Sequence, residues 1–208
     1  FNGGKIHRVD LATGKDELIP FSADVRLGLG PELDVPARVN QGPVKVHLIQ
    51  QPVESPDGKQ LAFSALTHLY VVALPGGTPR RVTNGDQRQF EPAWSPDGQW
   101  LAYVTWENEE GAIWKVRADG QGEPQRLTPE GEYYSHPAWS PDGARIAFTS
   151  MRSGNPDIYV FNLQNNSFLQ LTNTHLSEKS PAWSPMGTQL AYVRDNPSSQ
   201  IWIMSDTG

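Results

Sequence analysis

The hydrophobic positions of this chain come in short runs separated by polar segments rich in proline and glycine, and the order of runs recurs. One set of runs reads "QLAFSAL", "WLAYVTW", "RIAFTSM" and "QLAYVRD", and a second set follows as "HLYVVAL", "AIWKVRA", "DIYVFNL" and "QIWIMSD". Short runs rich in β-branched and aromatic residues, bounded by turn residues, are typical of strands. The pattern predicts an all-β protein.

Each strand of the first set is preceded by nearly the same four-residue turn sequence, which we call the quartet. SPDG occurs at 55–58, 95–98 and 140–143, and SPMG occurs at 184–187, so successive copies are 40, 45 and 44 residues apart. Proline presets the backbone for a turn, aspartate bonds the amides that follow it, and glycine supplies a positive φ. A period of this length is typical of propeller blades. With the run that ends in "PAW" and a closing run such as "PRRVTNG", each unit has four short strands.

The quartet aspartates have two interpretations. Asp57, Asp97 and Asp142 have the chemistry of catalytic carboxylates or calcium ligands, but Met186 takes the same place in the fourth copy without disturbing the repeat. Their recurrence therefore favours a turn role.

Tryptophan recurs at one position of the repeat. Trp94, Trp139 and Trp183 are equivalent, and Glu54 takes that place in the first unit. Aromatic residues at equivalent strand positions are expected where sheets stack face to face. We expect these rings in the core, and a differently packed first unit.

The combination of "PAWSPDG", "LAF", "DIYV" and "LTN" closely resembles the WD40-like PD40 repeats of TolB-like propellers. Such repeats occur in the periplasmic protein TolB, in the propellers of prolyl oligopeptidase relatives, and in propellers that precede amidohydrolase domains. The resemblance covers about residues 45–206. It implies an all-β fold, a β-propeller of four-stranded antiparallel blades. "IPFSADV" and "LPGGTPRRVTNG" resemble the propeller region preceding amidohydrolase domains most.

The repeat divides the chain into units. Residues 1–21 are predicted to be the last two strands of a preceding blade, and 22–44 an insertion or linker. Blades are predicted at 45–86, 87–130 and 131–174, with an incomplete blade at 175–208. About four blades are fewer than the resemblance leads one to expect, which suggests a fragment of a larger propeller. An open arc of blades exposes apolar faces, so self-association is an expectation.

Composition excludes several classes of protein. The 208 residues have a formal net charge of −6, 37% hydrophobic residues and no cysteine, which fits a globular domain without disulfides, zinc–cysteine sites or thiol nucleophiles. The acidic balance argues against nucleic acid as a partner, and no membrane span or signal peptide is visible. The resemblance implies a periplasmic or secreted protein.

Motifs for catalysis are absent from the sequence. It contains no G-x-S-x-G elbow and no H-E-x-x-H pair, and its five histidines are scattered singly. We therefore expect no catalytic residues, no metal and no cofactor in this chain. The metal ligands of any attached amidohydrolase would lie outside it.

The residue before each proline of the "PAW" position differs among the units. It is Gln51, Glu91, His136 or Ser180, and Lys179 precedes the last of these. These five residues are predicted to begin the innermost strands and to bind a ligand or partner at the mouth of the central channel. The alternative is that solvent-facing positions vary freely.

Three functions remain open. The first is a non-catalytic propeller that binds a partner protein or gates access to an attached amidohydrolase-type domain. The second is a TolB-type interaction protein of the cell envelope. The third is a self-contained propeller enzyme acting on a saccharide or peptide, which would need carboxylates clustered in the channel.

Overall fold

The computed structural model describes residues 7–10, 12–18, 46–107, 110–129, 131–195 and 197–208, and their regular structure is β throughout. No helix in these ranges is long and apolar enough to cross a membrane. The chain forms two compact units, Phe1–Pro43 and Val44–Gly208.

In the first unit, β1 (His7–Val9) pairs antiparallel with β2 (Asp16–Leu18). Asp10 Oδ1 accepts hydrogen bonds from the amides of Ala12 and Thr13, both at 2.9 Å, which closes the turn between the strands. Membership of this hairpin in a preceding blade stays a prediction. The 22–44 insertion lies outside the described residues.

In its described residues, the second unit contains three four-stranded antiparallel sheets and one three-stranded sheet, each with its strands in chain order. The first sheet comprises β3 (Gln50–Glu54), β4 (Gln60–Ala65), β5 (His68–Ala73) and β6 (Arg80–Arg81). The second comprises β7 (Arg88–Trp94), β8 (Trp100–Glu107), β9 (Glu110–Arg117) and β10 (Gln125–Arg126). The third comprises β11 (Tyr134–Trp139), β12 (Arg145–Ser150), β13 (Asp157–Asn162) and β14 (Ser167–Gln170). The fourth comprises β15 (Ser177–Trp183), β16 (Gln189–Asp195) and β17 (Ser199–Ser205). The predicted propeller of four-stranded antiparallel blades is confirmed.

The core lies between successive blades. Leu69 of the first blade packs with Tyr103 of the second, and Ile113 of the second packs with Phe148 of the third. A smaller cluster joins the third and fourth blades through Val160 and Leu190. Each blade therefore depends on its neighbour to bury its apolar face.

The quartets form the hairpins that join the first and second strands of each blade. In the second blade, Ser95 Oγ donates to Asp97 Oδ1, which also accepts the amide of Gln99 at 3.0 Å. The first and third quartets make the same bonds. The serine hydroxyl and then the amide stabilise the ionised carboxylate, so the pKa of Asp97 lies below its usual range. The predicted turn role is confirmed.

The fourth quartet allows a test of this turn chemistry. Met186 is 83% exposed, and Ser184 Oγ accepts the amide of Gln189 but has no aspartate beside it. Met186→Asp should supply the missing acceptor and raise the free energy of unfolding by about 0.5 to 1 kcal/mol in urea melts at neutral pH. Met186→Ala should give no gain. Because hydrogen bonding lowers the pKa of such an aspartate when folded, its stabilisation is present above about pH 4 and is lost as pH falls further. A gain that persists in acid would contradict the turn mechanism.

The repeated tryptophans link one blade to the next. The indole Nε1–H of Trp94 donates to the carbonyl of Val53 at 3.0 Å, and Trp139 donates to Ala93 at 3.1 Å. Trp183 donates to Ala138 in the same way. Trp94 is buried, at 9% exposure, as predicted.

Two of the three rings are less buried than the sequence predicts. Trp139 and Trp183 are only half-buried. Trp139 borders an open cleft of about 300 Å³ beside the quartet turns, and the Arg145 guanidinium covers Trp183, 4.6 Å from the ring centre. Glu54 is exposed in the first blade, which lacks the tryptophan contact.

Candidate functional site

The innermost strand of every blade contains a β-bulge at the proline of the "PAW" position. In β7, Phe90 pairs with Val104 and Ala93 pairs with Ala102, so one extra residue is inserted between these pairs. The same shift occurs in β3, β11 and β15. Proline has no amide hydrogen, so its place in the bulge leaves no ladder donor unpaired. The bulge is part of the repeat.

The bulged residue has a left-handed backbone in all four blades. The φ angles are 49° at Gln51, 54° at Glu91, 53° at His136 and 57° at Ser180. Positive φ is uncommon for residues other than glycine. Because this left-handed conformation recurs at equivalent positions, it is a regular part of the repeated strand structure.

The bulge amides bond the preceding blade. The Glu91 amide donates to Gln51 Oε1 at 2.9 Å, and the His136 amide donates to Glu91 Oε2. The Ser180 amide donates instead to Thr149 Oγ1 at 3.2 Å. In the third blade the His136 ring is bonded to its own neighbour, with Nδ1 2.9 Å from Ser135 Oγ.

Four of the five predicted site residues line one open cavity of about 270 Å³, which we call the bulge cavity. Its lining includes Gln51, Glu91, His136 and Ser180 with the proline that follows each. Lys179 does not line it, and its Nζ pairs with Asp195 Oδ2 on β16 at 2.6 Å.

The predicted start of the innermost strands is wrong for three blades. These strands begin upstream of the bulge, at Arg88, Tyr134 and Ser177, because residues before the bulge continue the ladder with the second strand. Glu91, His136 and Ser180 therefore lie inside their strands. Whether the predicted residues bind a ligand stays a prediction.

A larger cavity of about 650 Å³ adjoins the bulge cavity and shares Gln51 and Glu91 with it. We call it the aromatic cavity, because its lining includes Phe90, Trp106 and Tyr133. Sequence reasoning missed these residues as a set. The aromatic residues at the end of "WLAYVTW" and in "EYYSH" were the available signal.

Local packing fixes the aromatic pair in this cavity. The Trp106 and Tyr133 rings meet edge to face, 4.8 Å between centroids at 78°. The Gly111 amide donates to the carbonyl of Glu132 at 3.0 Å, which joins β9 to the segment before β11. A side chain at 111 would meet the Thr105 carbonyl at 2.9 Å, so glycine permits this close approach.

A buried tyrosine forms the floor beside this pair. Tyr134 lines the aromatic cavity and donates its hydroxyl to Glu132 Oε2 at 3.2 Å. Burial and then the neighbouring Glu132 carboxylate raise the pKa of Tyr134 to about 12, so it stays neutral. Glu132 also faces the Arg152 guanidinium, with 3.7 Å between Oε1 and Nε.

No cluster of three or more histidine, aspartate or glutamate side chains suited to a metal occurs among the residues that the structure describes. Both carboxylate oxygens of Glu91 already accept hydrogen bonds, from the Gln51 side chain at 3.5 Å and from the His136 amide. The arrangement holds polar groups in place around the bulge residues Gln51, Glu91, His136 and Ser180, and we call this part of the molecule the bulge end of the blades.

A family model described as the PD40 TolB beta propeller domain matches residues 39–208. The chain belongs to the TolB β-propeller family. As a TolB-family propeller it is 27% identical to a candidate TolB of Agrobacterium tumefaciens, with a TM-score of 0.69 over 77% of this chain and 60% of that one. It is 25% identical to TolB of Acinetobacter baumannii, with a TM-score of 0.66 over 76% of this chain and 41% of that one.

This TolB-family chain also resembles proteins with other names. An uncharacterized protein of Agrobacterium fabrum is 33% identical over 70 residues, which are 32% of this chain and 24% of that protein. A puromycin-hydrolyzing peptidase of Mycobacterium tuberculosis shares the fold at 20% identity, with a TM-score of 0.64 over 79% of this chain and 28% of that one. The chain thus spans about a quarter of that curated relative and 60% or less of these solved structures.

Proposed function

We propose that this chain is a non-catalytic module for protein interaction, and that it binds its partner at the bulge end of the blades. One observation carries the proposal: the bulge residues of four blades differ in chemistry, yet all line one cavity. A purely structural position in a repeat would be expected to keep one residue, whereas a recognition surface varies it.

Preorganisation supports this assignment. Hydrogen bonds between blades fix the Gln51 and Glu91 side chains before any partner arrives. Immobilising a long polar side chain on binding costs about 0.5 to 1.5 kcal/mol, so a surface that is already ordered binds more tightly. Two adjoining cavities at this end provide concave surface for a partner segment.

The partner belongs to one of two classes in this proposal. The resemblance of "IPFSADV" and "LPGGTPRRVTNG" to propellers that precede amidohydrolase domains favours an attached hydrolase, to which the propeller would gate access. Membership in the TolB family favours a separate protein of the cell envelope. Either class is compatible with a periplasmic or secreted location, which we include in the proposal.

Photocrosslinking from single positions tests the binding surface. A photoreactive amino acid replaces Gln51 in the bulge cavity or, as the matched control, Lys59 beside a quartet turn; both positions are exposed. In cells that make the full-length protein, position 51 should yield a defined crosslinked product and position 59 should not. Crosslinks within one polypeptide indicate an attached domain, and those between polypeptides a separate partner. A product from position 59 alone would place the interaction at the quartet end and overturn the proposal.

A further inference from the structure

The aromatic cavity has walls suited to a cation. Phe90, Trp106 and Tyr133 are half-buried and line it together, so their rings are in part accessible. Aromatic faces carry negative electrostatic potential and attract ammonium and guanidinium groups, tryptophan most strongly. Partial desolvation of the rings strengthens that attraction.

The charges around the aromatic cavity also favour binding of a cation. Among the described residues that line it, Glu91 is the one carboxylate, and there is no lysine, arginine or histidine. Arg152 lies nearby but faces Glu132. Arg88 stands opposite Trp106 in the β7–β8 register, is exposed, and does not line the cavity. A positive group that enters the cavity therefore meets a carboxylate and aromatic rings.

We propose that the aromatic cavity receives the arginine or lysine side chain of a partner's peptide segment, with the cationic group beside Glu91 and against the rings of Trp106 and Tyr133. The proposal rests on the function proposed above and names the chemistry of its partner. The cation lies beside the negative charge of Glu91, whose oxygens keep their bonds to Gln51 and His136, and it adds contacts with the rings.

The shape of the site favours a peptide over a free amine. The cavity of about 650 Å³ is larger than one guanidinium needs, and it continues through Gln51 and Glu91 into the bulge cavity, whose lining includes four prolines, with Pro52 exposed. A segment whose basic side chain occupies the first cavity can place neighbouring residues in the second. The Gln51 side-chain amide lies between them and can bond a peptide backbone.

Binding of matched synthetic peptides tests the proposal. Short alanine–glycine peptides with a central arginine, lysine, glutamine or glutamate are titrated into the whole chain and followed by isothermal calorimetry and by NMR of the tryptophan indoles. We expect the arginine and lysine peptides to bind at least about tenfold more tightly than the glutamine and glutamate peptides. Added salt should weaken this binding, because part of it is electrostatic.

Single substitutions test whether the arginine peptide binds in the aromatic cavity. Trp106→Ala and Glu91→Gln should each weaken binding of the arginine peptide by about tenfold. Trp202→Ala, on β17 outside the cavity, should leave that binding unchanged. Glu91→Gln keeps an oxygen for the His136 amide, and urea melts confirm that each variant folds. Equal binding of all four peptides, or equal loss in Trp202→Ala, would overturn the assignment.

Two further results separate the possible failures. Ethylguanidinium that binds as tightly as the arginine peptide, or a neutral oligosaccharide that binds in preference to it, would overturn the peptide assignment. If the basic peptides fail while position 51 still crosslinks a partner, the cation assignment is wrong and the interaction function stands. If neither binding nor crosslinking occurs, both are wrong.

Discussion

Replacing Trp94 by alanine is expected to lower the free energy of unfolding by about 3 to 5 kcal/mol. The ring belongs to the cluster between the first two blades, with Leu101 and Tyr103, and is 9% exposed. Its indole also bonds the carbonyl of Val53 in the preceding blade. The substitution removes apolar burial and a contact between blades together, and urea unfolding followed by circular dichroism measures the loss.

Two further variants separate the contributions of the ring and its hydrogen bond. Trp94→Phe keeps most of the apolar contact and leaves the Val53 carbonyl without its donor, so it should cost about 1 to 2 kcal/mol. Trp202→Ala removes a ring that is 43% exposed and should cost about 1 kcal/mol or less. Similar small losses in Trp94→Ala and Trp202→Ala would mean that the tryptophans do not join the blades.

Arg194→Met is expected to cost about 3 to 5 kcal/mol near pH 8 and distinctly less near pH 5. Glu178 is fully buried and its Oε1 accepts hydrogen bonds from Arg194 Nε at 2.9 Å and from Thr174 Oγ1 at 2.6 Å. Its Oε2 has no hydrogen-bond partner within the described part of the chain. Without Arg194, a buried carboxylate loses its counter-charge, and protonation at lower pH relieves that cost.

The sign of the pH dependence follows from the pKa of Glu178. Burial raises this pKa, and the nearby Asp157 carboxylate raises it further because a second negative charge disfavours the ionised form of Glu178. The folded chain therefore holds a proton that the unfolded chain releases, so this contribution to stability is present at low pH and is lost as pH rises through the folded pKa. The positive charge of Arg194 lowers the pKa of Glu178 and so opposes this increase. Without Arg194, the loss of folding stability as pH rises should therefore be larger.

Matched variants check this interpretation. Glu178→Gln in the Arg194→Met background should remove the difference between the two pH values, because glutamine cannot ionise. Lys179→Met breaks the more exposed pair with Asp195 and should cost much less stability than Arg194→Met, and equally at either pH. Equal losses for Arg194→Met near pH 5 and pH 8 would show that Glu178 is not responsible.

Local patterns in the sequence were enough to predict the blades. The quartet at 95–98 needs only its own serine, aspartate and glycine to form its turn, and Trp94 recurs where neighbouring sheets stack. Met186, which replaces the aspartate in the fourth quartet, was also informative. Because the repeat continues without that aspartate, the aspartates of the other quartets are better explained as turn residues than as catalytic or metal-binding groups. Such features depend on residues close in sequence, which a repeat makes visible.

The candidate site was predicted less completely. Variation before the prolines identified Gln51, Glu91 and His136, but their positive φ and hydrogen bonds between blades depend on a bulge that reorients each amide. Proline inside a strand was the available signal for that bulge. The contact of Trp106 with Tyr133 depends on how β9 meets the segment before β11, which the repeat pattern does not specify.

Hydrogen exchange tests most directly the claim that the bulge end is the interaction surface. The protein is compared alone and with the partner that crosslinking from position 51 captures, and peptides from the two ends of the same blades are followed by mass spectrometry. We predict slower exchange in segments 88–92 and 133–137, with no change in the quartet turns at 95–98 and 140–143. Protection of the quartet turns with unchanged exchange at the bulges would contradict the claim.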